Sequence, residues 1–475
     1  PLKVGSFTCQ YDYGFPYTPL VNNVDQLNPD LLYFSGDQIY EANGGYGIIR
    51  YPADRAILNY LGKWYMFGWA FGDLMKDRPT ITLPDDHEVF QGNLWGAGGK
   101  TISKEEWNKN ADNAEGFVQP VDMVNVVITT NCSQLPDPVD PTPMDNDIQV
   151  YFTNLLYGNV SFAIVGDRVF KSGVENVSWW SGRRDHIKKS IPANKLDKPG
   201  LKLLGERQLD FLDNWVEDWK GAAFKCLLSQ TIFANVSTHH GRKKMFLYGD
   251  MDSGGWPKSG RDRVIKIIRK AAAFHICGDQ HLPIFGQYGI TDYRQGGWVF
   301  CTPAITTGYE RSFLPEMAGF PIKNRPDHNL PNTGEFTDVF GNPNYVYAVG
   351  NPEDKTSWPD RYRQAVSRAS GFGISIFNPQ TGNIRNEAYR FNADLNKPLE
   401  ENMFPGWPVT INNLDNLGDD AKIELPVINV GSDEQPVVKV YNTTGNLVLA
   451  VRTNLGEDFT PKVRKPGTYK IIVGS

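Results

Sequence analysis

Across 475 residues the sequence has no window approaching the roughly 18 apolar residues that a membrane span requires, and its longest apolar pieces are as short as "LLYF" and "AAAF". No membrane-spanning helix is expected. Basic residues are not in excess: 48 Lys and Arg against 54 Asp and Glu give a net charge of -6 and a pI near 5.7, which excludes the footprint of a nucleic-acid or anionic-membrane binder. Cysteine is scarce and odd in number. Cys9, Cys132, Cys226, Cys277 and Cys301 lie far apart, so a dense disulfide framework is excluded and at least one thiol is free or a ligand. No Gly-x-Ser-x-Gly elbow occurs, so a covalent seryl intermediate is not expected. The glycine-rich "WGAGGK" (95–100) lacks both the Gly-Lys-Ser/Thr ending and the preceding strand of a phosphate loop, and reads as a flexible loop at a pocket rim.

Apolar and aromatic residues are plentiful. At 40% hydrophobic and 12% aromatic the chain is an ordered globular protein, with length for two or three domains or for one large α/β domain with a smaller module. It begins "PLKVGSFTC" without methionine, which fits either a processed mature chain or a trimmed one, and any export signal would lie upstream.

Short, nearly continuous apolar runs at 30–35, 80–84, 223–229 and 273–277 fit strands buried on both faces. Helical patterns at 54–76, 205–220 and 260–273 alternate with them, which predicts a layered α/β or α+β core. The residues just beyond each strand carry the chemistry. "KVGSFT" runs into Cys9, "LLYFS" into Gly36-Asp37-Gln38-Ile39-Tyr40, "TITLP" into Asp85-Asp86-His87-Glu88, "KCLLS" into Gln230, and "FHIC" into Gly278-Asp279-Gln280-His281. Strand carboxyl ends in open α/β sheets share one edge, where sites are assembled. Carboxylates and imidazoles crowded together become tolerable when a multivalent cation supplies the opposite charge, so the pattern predicts a polynuclear metal site.

The series "SFTCQ", "PDLLYFSGDQIYE", "PTITLPDDHEVFQGN", "LGERQLDFL", "DSGGWPKSGR" and "HICGDQH", spanning residues 5 to about 285, resembles the PhoD-like alkaline phosphatase/phosphodiesterase family within the calcineurin-like metallophosphoesterase superfamily. The resemblance implies a four-layer αββα core carrying ferric iron (Fe3+) and calcium (Ca2+), other divalent cations being possible. It transfers ligand roles to Cys9, Asp37, Tyr40, Asp85, Asp86, Asn93, Asp279 and His281, with Cys9 and Tyr40 on iron and Asp37 bridging. Thiolate and phenolate suit a transition metal, and carboxylate and amide oxygens suit a hard cation. Asp86 and His87 take the catalytic roles, His87 stabilising the transition state or protonating the leaving group. Asn93, His240 and Arg261 are substrate-binding candidates. Of the adjacent His239 and His240, whose side chains diverge, one is expected to face the site. Asp252 and Trp256 fall in a family stretch near the pocket, or in a turn leading into the helix.

The implied activity is hydrolysis of a small phosphate ester by in-line attack of a metal-bound hydroxide, in a secreted or periplasmic enzyme. The alternatives are a specialised hydrolase of a nucleotide, phospholipid or wall polymer, and a noncatalytic binding protein. Segments 132–147 and 178–186 read as long surface loops, 372–391 as a hairpin and 392–408 as a linker. Beyond it, alternating runs favour a small β-sandwich. The expected division is a catalytic domain over 1–395 and an accessory or sorting domain over 396–475. Oligomeric state is open.

Overall fold

The computed structural model describes residues 1–178, 180, 182–354, 357–432 and 434–474. Two large sheets lie face to face. In the first, the parallel strands Leu2–Gln10, Leu31–Phe34 and Thr80–Thr82 continue antiparallel through Gly371–Asn378, Asn383–Arg390 and Val409–Asn412, and Ala304–Thr306 adds to the end of the first strand. The second has eight strands, with a parallel centre of Val160–Ile164, Phe224–Thr231, Phe274–Gly278 and Trp298–Cys301.

The period-2 rule explains why these strands are apolar throughout. In Val160–Ile164, residues Val160, Phe162 and Ile164 enter the core between the sheets, while Ala163 turns to the helix side. Phe377 of the first sheet packs edge-on against Phe162, Phe224 and Phe274 of the second. Helix Ala53–Met75 covers the first sheet through Phe67 and Phe71 on Phe34. Helices Gly205–Trp215 and Lys258–Ile268 cover the second through Leu209, Leu212, Val264 and Ile268. The expected αββα layering is the observed one. The helix read over 205–220 stops at Trp215, whose carbonyl accepts both the Asp218 amide at 3.2 Å and Lys225 Nζ at 2.7 Å.

The expected hairpin is present, but the expected linker is not one. Met403, Phe404 and Trp407 fill the inter-sheet core, and Val409–Asn412 is an edge strand of the first sheet, so that sheet runs past residue 395. Turn-forming Pro, Asn and Gly dominate the composition of 392–408, while three buried apolar side chains decide its position. From Ile423 onward, a three-stranded and a two-stranded sheet share a small core of Val438, Val440, Leu449, Val451, Phe459 and Val463. This β-sandwich leans on the body, since Ala272 joins its core and Arg452 donates to the Trp219 carbonyl at 3.1 Å.

The loop over 132–147 is tied down by Tyr151 to the Pro136 carbonyl and by Arg207 to Asp140. In the expected loop over 178–186, Trp179 and Ser181 lie outside the described residues. The glycine-rich turn over 95–100 is also bonded down, its amides meeting the carbonyls of Arg168, Val169 and Lys171. A Cβ on Gly96 would stand 2.5 Å from the Val169 carbonyl oxygen, so only glycine allows this approach. No helix among the described residues is long and apolar enough to cross a membrane.

Candidate metal centre

The loops at the ends of four parallel strands of the two sheets meet at one end of the sandwich. Cys9, Asp37, Asp279 and His281 all adopt left-handed backbone (φ 52, 58, 60 and 56°), a conformation that costs non-glycine residues energy and recurs at functional sites. Buried Glu88 holds this shape. Its carboxylate accepts the amides of Asp37 (3.2 Å), Gln38 (2.6 Å) and Ile39 (3.4 Å) from one loop and of Asp85 (2.7 Å) from its own. Burial and the Asp37 carboxylate push Glu88 up to about 8, while the amides act in the opposite direction. Gln230 ties the same region together, donating to the Pro84 carbonyl (2.9 Å) and accepting the Asp167 amide (3.0 Å).

Two donor groups share Asp37. In one, donor atoms of Cys9, Asp37, Asp279 and His281 lie within 4.8 Å of one another, and in the other those of Asp37, Asp86 and His87 do. Tyr40 completes the first: its hydroxyl donates to Asp37 Oδ2 at 2.9 Å and lies 3.4 Å from His281 Nε2. His281 Nδ1 sits 2.6 Å from the Tyr309 carbonyl, which can only accept, so Nδ1 carries the proton and Nε2 keeps its lone pair for the cluster. Burial and Arg311 lower His281 to about 3, keeping it neutral.

These residues fit cations. Among the described residues Asp37 Oδ1, buried at the point the two groups share, has no hydrogen-bond partner. Burial raises Cys9, Tyr40, Asp37 and Asp86 above their usual ranges, and the neighbouring carboxylates raise them further. A cation reverses that logic by favouring the deprotonated donors. His87 lies against Tyr40 with ring centres 4.2 Å apart and planes tilted by 40°, and pairs through Nδ1 with Glu41 at 2.8 Å. Burial alone would lower its pKa, but Glu41, Asp37 and Asp86 hold it well above the usual value.

Two expected positions are revised. Asp85, expected as a ligand, lies against the Arg168 guanidinium (2.6 and 3.3 Å), so its charge is already met. Arg261, expected to touch substrate, is buried with its donors on the carbonyls of Phe233 (2.6 Å) and Gly289 (2.8 Å), on Asp262 (2.7 Å) and on Asn344 (3.3 Å). It is a packing residue because helix Lys258–Ile268 turns it inward. Trp256 is likewise in the core, with its indole N–H on the Leu196 carbonyl.

Asn93 is buried and gives its amide N–H to the Asp112 carbonyl at 3.3 Å. Of the histidine pair, His240 is joined to the centre, through the Tyr309 hydroxyl at 2.5 Å, while His239 turns to Phe246. Asp252 pairs with Arg168.

The principal residue not anticipated is Arg168, 1% exposed and bonded to Asp85, Asp252 and, at 2.6 Å, Asp279. A signal existed: the apolar run 160–165 ends in Gly166-Asp167-Arg168, the same strand-then-ligand order as the other segments. A third group, Asp185, His186 and Asp250, already has its charge met by Arg183 (2.7 Å) and Arg311 (2.9 Å).

Carboxylate, thiol, phenol and imidazole donors gather where the strands of a two-sheet α/β sandwich end, a donor set of the class that binds metal ions. The PhoD-like phosphatase family model matches residues 4–333, and the chain belongs to that family. Among solved structures it is similar to "Structure of PhoD" (17% identity, TM-score 0.50), covering 82% of this chain and 66% of that one, so it spans about two thirds of the length of that relative. It also matches a dimetal phosphatase from Danio rerio at 10% identity and a TM-score of 0.33, covering 73% of this chain and 99% of the other. No curated protein matches the chain.

Proposed function

We propose that the protein hydrolyses phosphate esters, monoesters or diesters, at a centre of two or more cations. The carrying observation is Asp37, shared by both donor groups and holding a buried oxygen with no hydrogen-bond partner among the described residues. Cys9, Tyr40, Asp279 and His281 would hold a transition metal, ferric iron suiting the thiolate and phenolate, and Asp86 with Asn93 would hold a harder cation such as calcium, Asp37 serving both. Bound cations neutralise charge on the phosphoryl oxygens and acidify water.

The remaining work falls to the chain. His87 holds a proton at Nε2, oriented by Glu41 on Nδ1 and by the Tyr40 ring, and can deliver it to the departing oxygen. Tyr309 fixes His281, and Glu88 fixes the two ligand loops. His240 stands at the rim as a candidate substrate contact. An extracytoplasmic location agrees with oxidised iron and calcium, and the C-terminal sandwich would serve support or sorting.

Metal analysis of purified protein, with assays on p-nitrophenyl phosphate and its bis ester, tests the reading and divides monoester from diester preference. Asp37→Asn is expected to lose metal and activity together. An active, metal-replete Asp37→Asn would refute the shared role. Iron bound through Cys9 and Tyr40 would colour the concentrated protein purple or brown. Colourless, fully active, iron-free enzyme would remove the iron assignment alone.

A further inference from the structure

Helix Ala53–Met75 buries Ala56, Tyr60, Phe67, Phe71 and Leu74 against the sandwich. Its opposite face is apolar as well. Leu58 (70% exposed), Leu61 (37%), Tyr65 (65%) and Trp69 (66%) recur at helical spacing along one outward stripe. Between Arg55 and Asp73 this stripe carries no charge, since Lys63 is buried and turned to the Gly47 carbonyl at 2.9 Å and Asn59 at 2.7 Å. A four-turn outward face without a charged side chain is not what solvent favours.

The patch continues onto the preceding loop, where Tyr46, Ile48 and Tyr51 are 42–56% exposed. Asn59 holds that loop to the helix through the carbonyls of Tyr46 and Gly47, both at 3.3 Å. Large side chains offer roughly 150–250 Å² each, so these exposed fractions sum to about 700 Å². That exceeds the usual largest patch of a monomer, roughly 300–600 Å², and approaches the roughly 800 Å² per partner of a stable protein interface.

Shape narrows the occupant. Gly62, Gly68 and Gly72 lie on the same stripe as the protruding side chains, and a Cβ on Gly68 or Gly72 would meet nothing within 4 Å. Packing within the chain therefore does not require these two glycines, although glycine weakens a helix interior relative to alanine. Knobs and hollows on one patch are what a two-fold interface needs, where the same surface serves both partners. A membrane surface fits less well, because the stripe is flanked by Asp54 and Arg55 at one end and by Asp73, Lys76 and Asp77 at the other, with no basic excess.

We infer that this helix face is the interface of a homodimer, each copy seating Tyr65 and Trp69 over the glycines of the other. Sedimentation equilibrium of the metal-loaded full chain at micromolar concentration is expected to give twice the 53.4 kDa chain mass. Trp69→Glu is expected to give monomer, with a dissociation constant raised at least about a hundredfold, as for loss of a central aromatic anchor, and with unchanged phosphatase activity. Gly68→Leu, whose Cβ would meet nothing within 4 Å in the chain, is expected to do the same and supplies the readout should Trp69→Glu fail to fold. A monomeric wild type, a dimer indifferent to both substitutions, or wild-type binding to phosphatidylcholine or phosphatidylglycerol vesicles that Trp69→Glu abolishes would each overturn the inference.

Discussion

Replacing Arg168 by methionine would remove a side chain that joins Asp85, Asp252 and Asp279. Its Nε and Nη2 lie 2.6 and 3.3 Å from Asp85, Nη2 lies 2.6 Å from Asp279, and Nη1 meets Asp252, all with 1% of the guanidinium side chain exposed. Breaking a buried ion pair by deleting one partner costs about 3–5 kcal/mol, because the remaining charge has neither water nor counter-ion. With unfolding entropy scaling to about 1 kcal/mol/K for a chain of this size, that loss is a fall in Tm of about 3–5 °C. On the proposed function the loss should depend on metal, since cations held through Asp279 and Asp37 would replace part of the missing positive charge. Calorimetry in chelator is expected to show the full decrease, and in calcium and iron less than half of it. The double variant Arg168→Met/Asp85→Asn should recover at least about 1 kcal/mol, the coupling expected of residues in contact. Equal decreases with and without metal, or no decrease in chelator, would refute the charge-compensation argument.

Glu41→Gln removes the carboxylate that raises His87, so the alkaline limb of the rate profile, where His87 loses its proton, should move to lower pH. An unmoved limb alongside a lower rate would leave Glu41 a structural role only. Glu88→Ala leaves amides from two loops without their acceptor, and at about 1–3 kcal/mol per unsatisfied buried group the ligand loops should loosen, read as weaker metal retention on dialysis. Burial lowers Lys225 to about 7 in the folded chain against 10.5 as its ordinary value. The unfolded chain therefore binds more protons between pH 7 and 10.5, and stability should rise with pH across that window by at most about 1.4 kcal/mol per unit. Chemical denaturation of Lys225→Met should lack this rise.

The sequence alone determined the layered α/β class, because strands buried on both faces leave continuous apolar runs and surface helices leave a 3.6-residue period. It also marked most of the candidate centre: Asp37, Tyr40, Asp86, His87, Asp279 and His281 each follow such a run and Cys9 ends the first strand segment, and the carboxyl ends of parallel strands share an edge. The pairing of charges was decided only in three dimensions. Asp85 and Asp86 are neighbours in the chain, yet Asp85 faces Arg168 from another strand end while Asp86 faces Asp37. Glu88 belongs to the same acidic run but holds backbone amides. Arg261 sits in a family motif, and the helix register turns it inward. Met403, Phe404 and Trp407 lie in a stretch rich in turn formers, and burial between the sheets overrides that local preference. Local composition reports periodicity and turn chemistry, whereas the partner of a charge is set by which distant segment the fold brings within a few ångströms.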